Sequence, residues 1–481
     1  MHIPHSLFRV SGIVSLFALM ACIACKNNTQ DQTAMETSGK TDVEVWLTTT
    51  DKSTLFSKQP VSYTFGTEAT TLPTIEIDTA QSFQTMDGFG YTLTGGSAYV
   101  LHQKLNPEQR ATLLNELFDT NDKNIGISYL RVSIGSSDLD SSTFSYNDLP
   151  AGQKDEDMQK FSLTPDKKDL VPVLKEILAI NPSIKILGSP WSPPAWMKSN
   201  NSTIGGKLKP EYYAAYAKYF VKYVQEMAKE GITIDAITVQ NEPENPKNNP
   251  SLDMTAPEQA TFVKKHLGPA FEAAGIKTKI QIFDHNCDHP NYPISILNDS
   301  EAKKYIDGSA FHLYLGSISA LTEVHNAHPD KHVYFTEQWT SSEGQFGGDL
   351  QWAVKNLIIG ATRNWSRNVL QWNLAADPQQ NPHTPGGCTQ CLGALTIGDT
   401  VRRNVSYYTI AHASKFVRPG SVRIASTELA DLPNVAFKTP SGKKVLIVLN
   451  EGNTKKDFAI KTNGKSAPVS INAASVATFV F

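Results

Sequence analysis

Hydrophobic positions recur along the chain with two different periods, and the switches between them divide it. Val43-Glu-Val-Trp-Leu-Thr-Thr-Thr and Thr71-Leu-Pro-Thr-Ile-Glu-Ile-Asp alternate, are rich in β-branched residues and end at turn residues, which predicts strands. From about Phe83, short apolar runs are separated by longer segments of helical spacing, the mark of repeated βα units and a parallel sheet. The predicted strands are Met86–Tyr91, Ser128–Ile134, Ile184–Gly188, Ala236–Gln240, Lys279–Phe283, Ala310–Tyr314, Val333–Thr336 and Val369–Trp372. Between them Asn106–Phe118, Lys167–Ile180, Pro210–Lys229, Ala256–Ala274 and Leu350–Thr362 carry apolar residues at helical spacing. This predicts an α/β fold, a (β/α)8 barrel over residues 81–416. Past Val417 alternation returns in Val422-Arg-Ile-Ala, Asn434-Val-Ala-Phe, Val445-Leu-Ile-Val-Leu, Asp457-Phe-Ala-Ile, Val469-Ser-Ile-Asn and Val476-Ala-Thr-Phe-Val-Phe. Residues 417–481 are expected to join residues 43–80 in one all-β sandwich, with the barrel inserted between its two parts.

The first 25 residues follow another rule. His2, His5 and Arg9 precede an apolar run from Gly12 to Ala24 that is short for a membrane-spanning helix and predicts an export signal. Leu19-Met20-Ala21-Cys22 resembles a bacterial lipobox, with Cys25 a second candidate for acylation, and residues 26–42 form a polar tether. These features point to an exported bacterial lipoprotein anchored to the membrane through an N-terminal Cys, in the periplasm or at the cell surface. A plain secretory signal or an uncleaved anchor is the alternative. A formal net charge of −3 over 481 residues offers no broad cationic field for nucleic acid. Beyond the leader lie Cys287, Cys388 and Cys391. In an oxidising compartment Cys388-Thr-Gln-Cys391 suits a disulfide, with free thiols or a metal site, His383 beside it, as alternatives.

In such a barrel the reactive groups stand where strands end, at the C-terminal face. The fourth predicted strand ends on Asn241-Glu242-Pro243 and the seventh on Glu337, so both carboxylates are expected at one mouth. Glycosidic hydrolysis needs a proton for the leaving oxygen and a negative group beneath the oxocarbenium-like transition state, and two carboxyls supply both. Asn241 is suited to hydrogen-bond a sugar 2-hydroxyl, and Arg131, inside an apolar strand, to hold a carboxylate. Asp284-His-Asn-Cys287-Asp-His289 has metal-ligand residue types without a recognised ligand spacing and reads as a polar loop at the mouth. Lys154–Lys168, mixed in charge, reads as solvated surface, and the proposed chemistry requires neither cofactor nor metal.

Several stretches carry a resemblance: Asp87-Gly-Phe-Gly-Tyr-Thr-Leu-Thr, Leu130-Arg-Val-Ser, Gly188-Ser-Pro-Trp-Ser-Pro-Pro-Ala-Trp-Met-Lys, Thr238-Val-Gln-Asn-Glu-Pro, Phe311-His-Leu-Tyr, Phe335-Thr-Glu, Gln371-Trp-Asn-Leu and His412-Ala-Ser-Lys-Phe-Val-Arg-Pro-Gly-Ser. Together they resemble glycoside hydrolase family 30, the family of the glucosylceramidases. The resemblance implies a barrel with a β-sandwich built from both termini, Glu242 as acid/base and Glu337 as nucleophile of a retaining β-glycosidase. It also places Trp191, Asn241, His312, Tyr314 and Trp372 around the cleaved sugar, where aromatic rings offer flat faces to sugar C–H groups. His312 is read as positioning a carboxylate or Tyr314 rather than transferring protons.

The chain also departs from that pattern. Where glucosylceramidases have Thr-Asp after the Gly-Phe-Gly motif, with the Asp gripping distant sugar hydroxyls, this chain has Thr94-Gly95. The loop Ala376-Asp-Pro-Gln-Gln-Asn-Pro-His-Thr-Pro-Gly-Gly-Cys388 has no clear counterpart there either. The missing carboxylate implies a pocket opened at its far end, as a β-1,6-glucan chain continuing through the 6-hydroxyl would demand. The expectation is therefore an endo-β-1,6-glucanase, ahead of an exo-acting β-glucosidase or glucosylceramidase and of an enzyme for another β-glycan such as xylan. A non-catalytic carbohydrate-binding lipoprotein is the rival from another class, and a binding protein has no need of the Glu242–Glu337 pair.

Overall fold

Eight parallel strands close into a barrel in the computed structural model, which describes residues 42–481; the predicted leader, Cys22, Cys25 and residues 26–41 of the tether lie outside the described residues. The strands are β1 (Gly88–Thr92), β2 (Tyr129–Ser133), β3 (Lys185–Ser189), β4 (Ala236–Thr238), β5 (Lys279–Cys287), β6 (Ile306–Gly316), β7 (His332–Glu337) and β8 (Ser366–Asn373). Each pairs in parallel with the next, and β8 pairs with β1. All eight overlap strands expected from the apolar runs, because a strand covered on both faces reads as a continuous hydrophobic stretch.

The helices between them follow local rules. Pro107–Phe118 starts from a capping box in which Asn106 and Gln109 satisfy each other's backbone N–H groups, with Pro107 where no N–H is needed. Tyr213–Lys229 buries Tyr216, Tyr219, Phe220, Tyr223 and Met227, spaced to form one face of a helix. The expected helix Ala256–Ala274 is divided: Ala256–Phe262 and Gly268–Ala273 flank a π-helical segment, Val263–Leu267, directly before Pro269, which has no N–H to give the preceding turn. Lys154–Lys168 is not simply solvated, because Asp155, Met158, Leu163 and Asp166 are buried. Asp155 accepts Asn147 Nδ2 at 2.9 Å and the Lys160 N–H at 2.7 Å, so the segment folds back around its own acid.

Strands from both ends of the described chain form one nine-stranded array. Glu44–Thr49 pairs antiparallel with Ser475–Val480, and Thr74–Thr85 lies between Val422–Ser426, antiparallel, and Lys456–Thr462, parallel. Alternate residues including Leu47, Ile77, Leu446, Phe458 and Phe479 make its core. His412, on the helix Val405–Ser414, is buried against this array, bonding Thr48 Oγ1 at 2.8 Å and Thr478 Oγ1 at 2.9 Å. Burial lowers its pKa to about 3, so a neutral imidazole joins helix and sheet.

Candidate active site

The barrel interior changes character from one layer to the next. Tyr129, Leu187, Ala236 and Leu370 on β2, β3, β4 and β8 form an apolar cluster. Two residues further along the same strands stand Arg131, Ser189, Thr238 and Trp372, which the two-residue period of a strand returns to the same face. Arg131 Nε donates to Ser189 Oγ at 3.0 Å, Ser189 Oγ and Thr238 Oγ1 are hydrogen-bonded at 2.7 Å, and the guanidinium lies 5.9 Å from the Trp372 ring centre and 4.8 Å from that of Trp191.

A fully buried guanidinium needs compensating charge, and Arg131 has it on two sides. Its terminal nitrogens donate to Asp284 Oδ2 at 2.8 Å, to Asn241 Oδ1 at 2.7 Å and to Glu337 Oε2. Burial opposes the charge, but Asp284 and Glu337 outweigh it and raise the Arg131 pKa. Asp284 also accepts Thr238 Oγ1 at 2.7 Å and Thr336 Oγ1 at 2.6 Å. Burial would raise its pKa, yet Arg131 and His312 hold the carboxyl far below the ordinary range. Asp284 does not lie on a polar loop: β5 runs on through Cys287, and Asp284, His285 and Asn286 are buried. Phe283 (φ 72°) and Asp284 (φ 64°) are left-handed where β5 shifts register against β6, a bulge at the strand's active end that accompanies the placement of Asp284 beneath Arg131.

The two predicted carboxylates stand above this layer. Glu337 ends β7; its Oε1 accepts the Tyr314 hydroxyl at 2.8 Å while Oε2 takes Arg131. Glu242 follows β4 with φ 45°, a strained value for a non-glycine residue, and its N–H is anchored on the Asp284 carbonyl at 3.0 Å. His312 lies between them. Its Nε2 bonds Asp284 Oδ1 at 3.1 Å, and its Nδ1 is 3.2 Å from Glu242 Oε1 and 3.7 Å from Glu337 Oε1. Those last two distances hold the carboxylate oxygens within about 7 Å of each other. Asn245 Nδ2 donates to the other Glu242 oxygen at 2.8 Å.

The two carboxyls differ in proton affinity. Burial would raise Glu242, but the hydrogen bond and charge of His312 bring it down to about 2. Burial likewise opposes a charged His312, but Glu337, Asp284 and Glu242 lift it to about 9. Burial raises Glu337, against the pull of His312 and Arg131 towards its anion. Because an arginine and a phenol both donate to its oxygens, the hydrogen-bond geometry of Glu337 is that of a carboxylate.

Both carboxylates open on a cavity of about 540 Å³. Trp191, Asn241, Tyr314 and Trp372 line it, whereas Arg131 and His312 lie behind its surface. Trp191 and Trp372 have ring centres 5.3 Å apart. The structure adds groups that the strand-end reading passes over. Asp138, in the loop after β2, lines the cavity, and burial, with the Glu337 charge, raises it to about 7. His285 lines it too, as do Cys388 and Cys391, which form a disulfide. Gly95 does not. A Cβ at residue 95 would lie 1.7 Å from Asp140 Oδ1, so the missing side chain makes room for Asp140 and does not open the sugar pocket. The Cys388–Cys391 turn carried a signal in the sequence through its spacing, and His285 through the run of metal-ligand residue types read as a polar loop at the mouth; Asp138 stands five residues beyond its strand.

A closed eight-stranded barrel with two glutamates at the C-terminal ends of β4 and β7, facing one aromatic-walled cavity, defines a barrel glycoside hydrolase. Sequence comparison gives its family. Residues 86–417 match the glycosyl hydrolase family 30 TIM-barrel domain and residues 420–479 its beta sandwich domain, and the chain belongs to this family. It is 36% identical over 425 residues to an endo-1,6-beta-D-glucanase of Neurospora crassa, covering 84% of this chain and 86% of that one. It is 32% identical to putative glucosylceramidase 1 of Caenorhabditis elegans, covering 82% and 79% of the two chains. The solved structure of an endo-beta1,6-glucanase superposes with a TM-score of 0.86 at 36% identity, over 91% of this chain and 99% of that one.

Proposed function

We propose that the protein is a retaining endo-β-1,6-glucanase, with Glu337 as nucleophile and Glu242 as acid/base. The carrying observation is His312 Nδ1, 3.2 Å from one carboxylate and 3.7 Å from the other across a single cavity. A retaining pair needs a separation of about 5–5.5 Å, which fits within that limit, whereas most of the inverting range of about 6.5–9.5 Å exceeds it. Glu337, oriented by Arg131 and Tyr314, attacks the anomeric carbon. His312 Nδ1, 3.2 Å from Glu242 Oε1, positions the acid/base. Glu242 hands a proton to the departing glycosidic oxygen and later takes one from water.

Asn241, fixed by Arg131, offers its amide to the 2-hydroxyl, Trp191 and Trp372 give the sugar apolar faces, and Asp138 accepts hydroxyls further from the cleaved bond. The β-1,6-glucan assignment is supported by the names of the relatives at 36% identity. The glucosylceramidase relatives favour an exo-acting β-glucosidase as the second reading. Incubation with β-1,6-glucan should release a ladder of oligosaccharides whose new ends are first seen as the β anomer by NMR. Glucose as the sole early product overturns the endo reading, and α-anomeric products overturn retention. We also propose that the chain is an exported lipoprotein anchored through Cys22. Mass spectrometry of the membrane-extracted protein tests this, since an unmodified N-terminus excludes it.

A further inference from the structure

We propose that Glu242, His285 and His312 form a binding site for a borderline divalent transition cation, zinc or copper(II), and that the bound metal blocks hydrolysis. The three side chains come from the turn after β4, from β5 and from β6, are all buried, and bring one ligand atom each within 4.8 Å of the others. His312 Nδ1 lies 3.2 Å and His285 Nδ1 3.9 Å from the same oxygen, Glu242 Oε1. Two imidazoles, the His312 ring being neutral once the metal displaces its proton, and a carboxylate around one point are a donor set for these metals, whereas magnesium and calcium call for six or more oxygens.

Two details distinguish this cluster from a chance meeting of polar residues. His285 Nδ1 is buried without a hydrogen-bond partner, and His285 lines the cavity. His312 bonds Asp284 Oδ1 through its far nitrogen at 3.1 Å, the carboxylate–histidine arrangement that orients a metal-binding imidazole and strengthens it as a ligand. Asn245 restrains the second oxygen of Glu242 at 2.8 Å, leaving Oε1 turned inward. The cavity supplies the open fourth position, where a water or a sugar hydroxyl completes the coordination. On binding, the metal takes the electron pairs of both Nδ1 atoms and of Oε1, and the proton held between His312 and Glu242 is released to solvent. With Oε1 on the metal, Glu242 carries no proton for the leaving oxygen, so the blocking half of the inference rests on the acid role proposed for Glu242. The binding half does not.

Calorimetric titration of the purified full chain with zinc chloride should show one site of this kind, absent with magnesium chloride. Its affinity should fall about 10–100-fold in His285→Asn and in Glu242→Gln. Comparing the variants with the parent chain subtracts zinc held elsewhere, as by His2, His5 or the leader cysteines. Hydrolysis should fall with the same zinc midpoint and return with EDTA. Unchanged zinc affinity in His285→Asn, or no binding at millimolar zinc, overturns the site. If that variant does not fold, as read by near-UV circular dichroism, the Glu242→Gln titration decides on the same criterion. Zinc that binds here without slowing hydrolysis overturns the block alone. Calorimetry is independent of the glycoside cleaved, so an error in the substrate assignment leaves the result readable.

Discussion

The floor of the cavity and its wall are built by different means. The floor is strand-borne: Arg131 from β2, Asp284 from β5, His312 from β6 and Glu337 from β7 are tied to one another by side-chain bonds inside a closed barrel. The wall is loop-borne. Asp138 is held from outside, its carbonyl by the Thr384 N–H at 2.8 Å and its carboxylate by the Cys388 N–H at 3.3 Å, in a loop closed by the Cys388–Cys391 disulfide. A barrel has no sheet edges and fixes strand ends at no further cost, whereas a loop must be fastened contact by contact. The difference divides the labour, with reaction chemistry on the floor and choice of sugar on the wall.

The largest expected effect tests the floor. Glu337→Gln should reduce turnover of β-1,6-glucan by about 10,000-fold or more while leaving oligosaccharide binding measurable by calorimetry. Loss of binding to the same degree as turnover would mean that Glu337 acts by holding the substrate and is not the nucleophile.

Arg131→Met should come next, and it separates structural from catalytic charge. The substitution leaves Asp284 and Glu337 buried with His312 as their remaining cationic partner, and breaking such a pair costs about 3–5 kcal/mol. Denaturant unfolding should show that loss, with activity falling as Glu337 loses its orientation. A variant of near-parental stability would mean that Asp284 and Glu337 take up protons when Arg131 leaves, and the floor is then less rigid than its bonds suggest.

The floor was legible in the sequence and the wall largely was not, for the same physical reason. Arg131, Asn241 and Glu337 lie on apolar runs or within a few residues of their ends, so the hydrophobic pattern that marks the barrel also marks them, whereas His312, Tyr314 and Trp372 were placed by the family resemblance. Asp284 escaped because β5 continues through four polar or weakly apolar residues past its expected end, a continuation enforced by a bulge and by buried partners that no local pattern announces. Asp138 gains its place from long-range contacts with the loop after β8, and His285 from the same continuation of β5. At Gly95 the family pattern drew attention to a missing carboxylate, while the space is claimed by Asp140, 45 residues away along the chain.

Removing the wall's fastening is the third test. In the double variant Cys388→Ser, Cys391→Ser the closed loop is short, so the stability lost should not exceed about 2 kcal/mol. The kinetic effect should fall on substrate affinity, with KM for β-1,6-glucan rising about tenfold and kcat changing less, as Asp138 loses its tie. A fall in kcat at constant KM would place the disulfide with the floor.

The smallest effect is a pH dependence read at the wall. Burial, joined by the nearby Glu337 charge, lifts the Asp138 carboxyl from 3.8 to about 7. The folded state therefore keeps a proton that the unfolded chain gives up near pH 4, so the stability this group contributes is fully present below that pH and is lost as pH rises towards 7. Asp140, lifted to about 6, and Asp166, lifted to about 8, act in the same sense, and neither is removed by substitution at residue 138. Asp138→Asn keeps a neutral side chain at all pH values, so its Tm should fall less than the parent's between pH 4 and pH 7, by about 4 °C. Parallel Tm curves for the two proteins would show that Asp138 is ionised throughout this range. The wall would then present a permanent carboxylate to the sugar, and its Cys388 N–H, the one donor the loop supplies to that carboxylate, would matter more than burial.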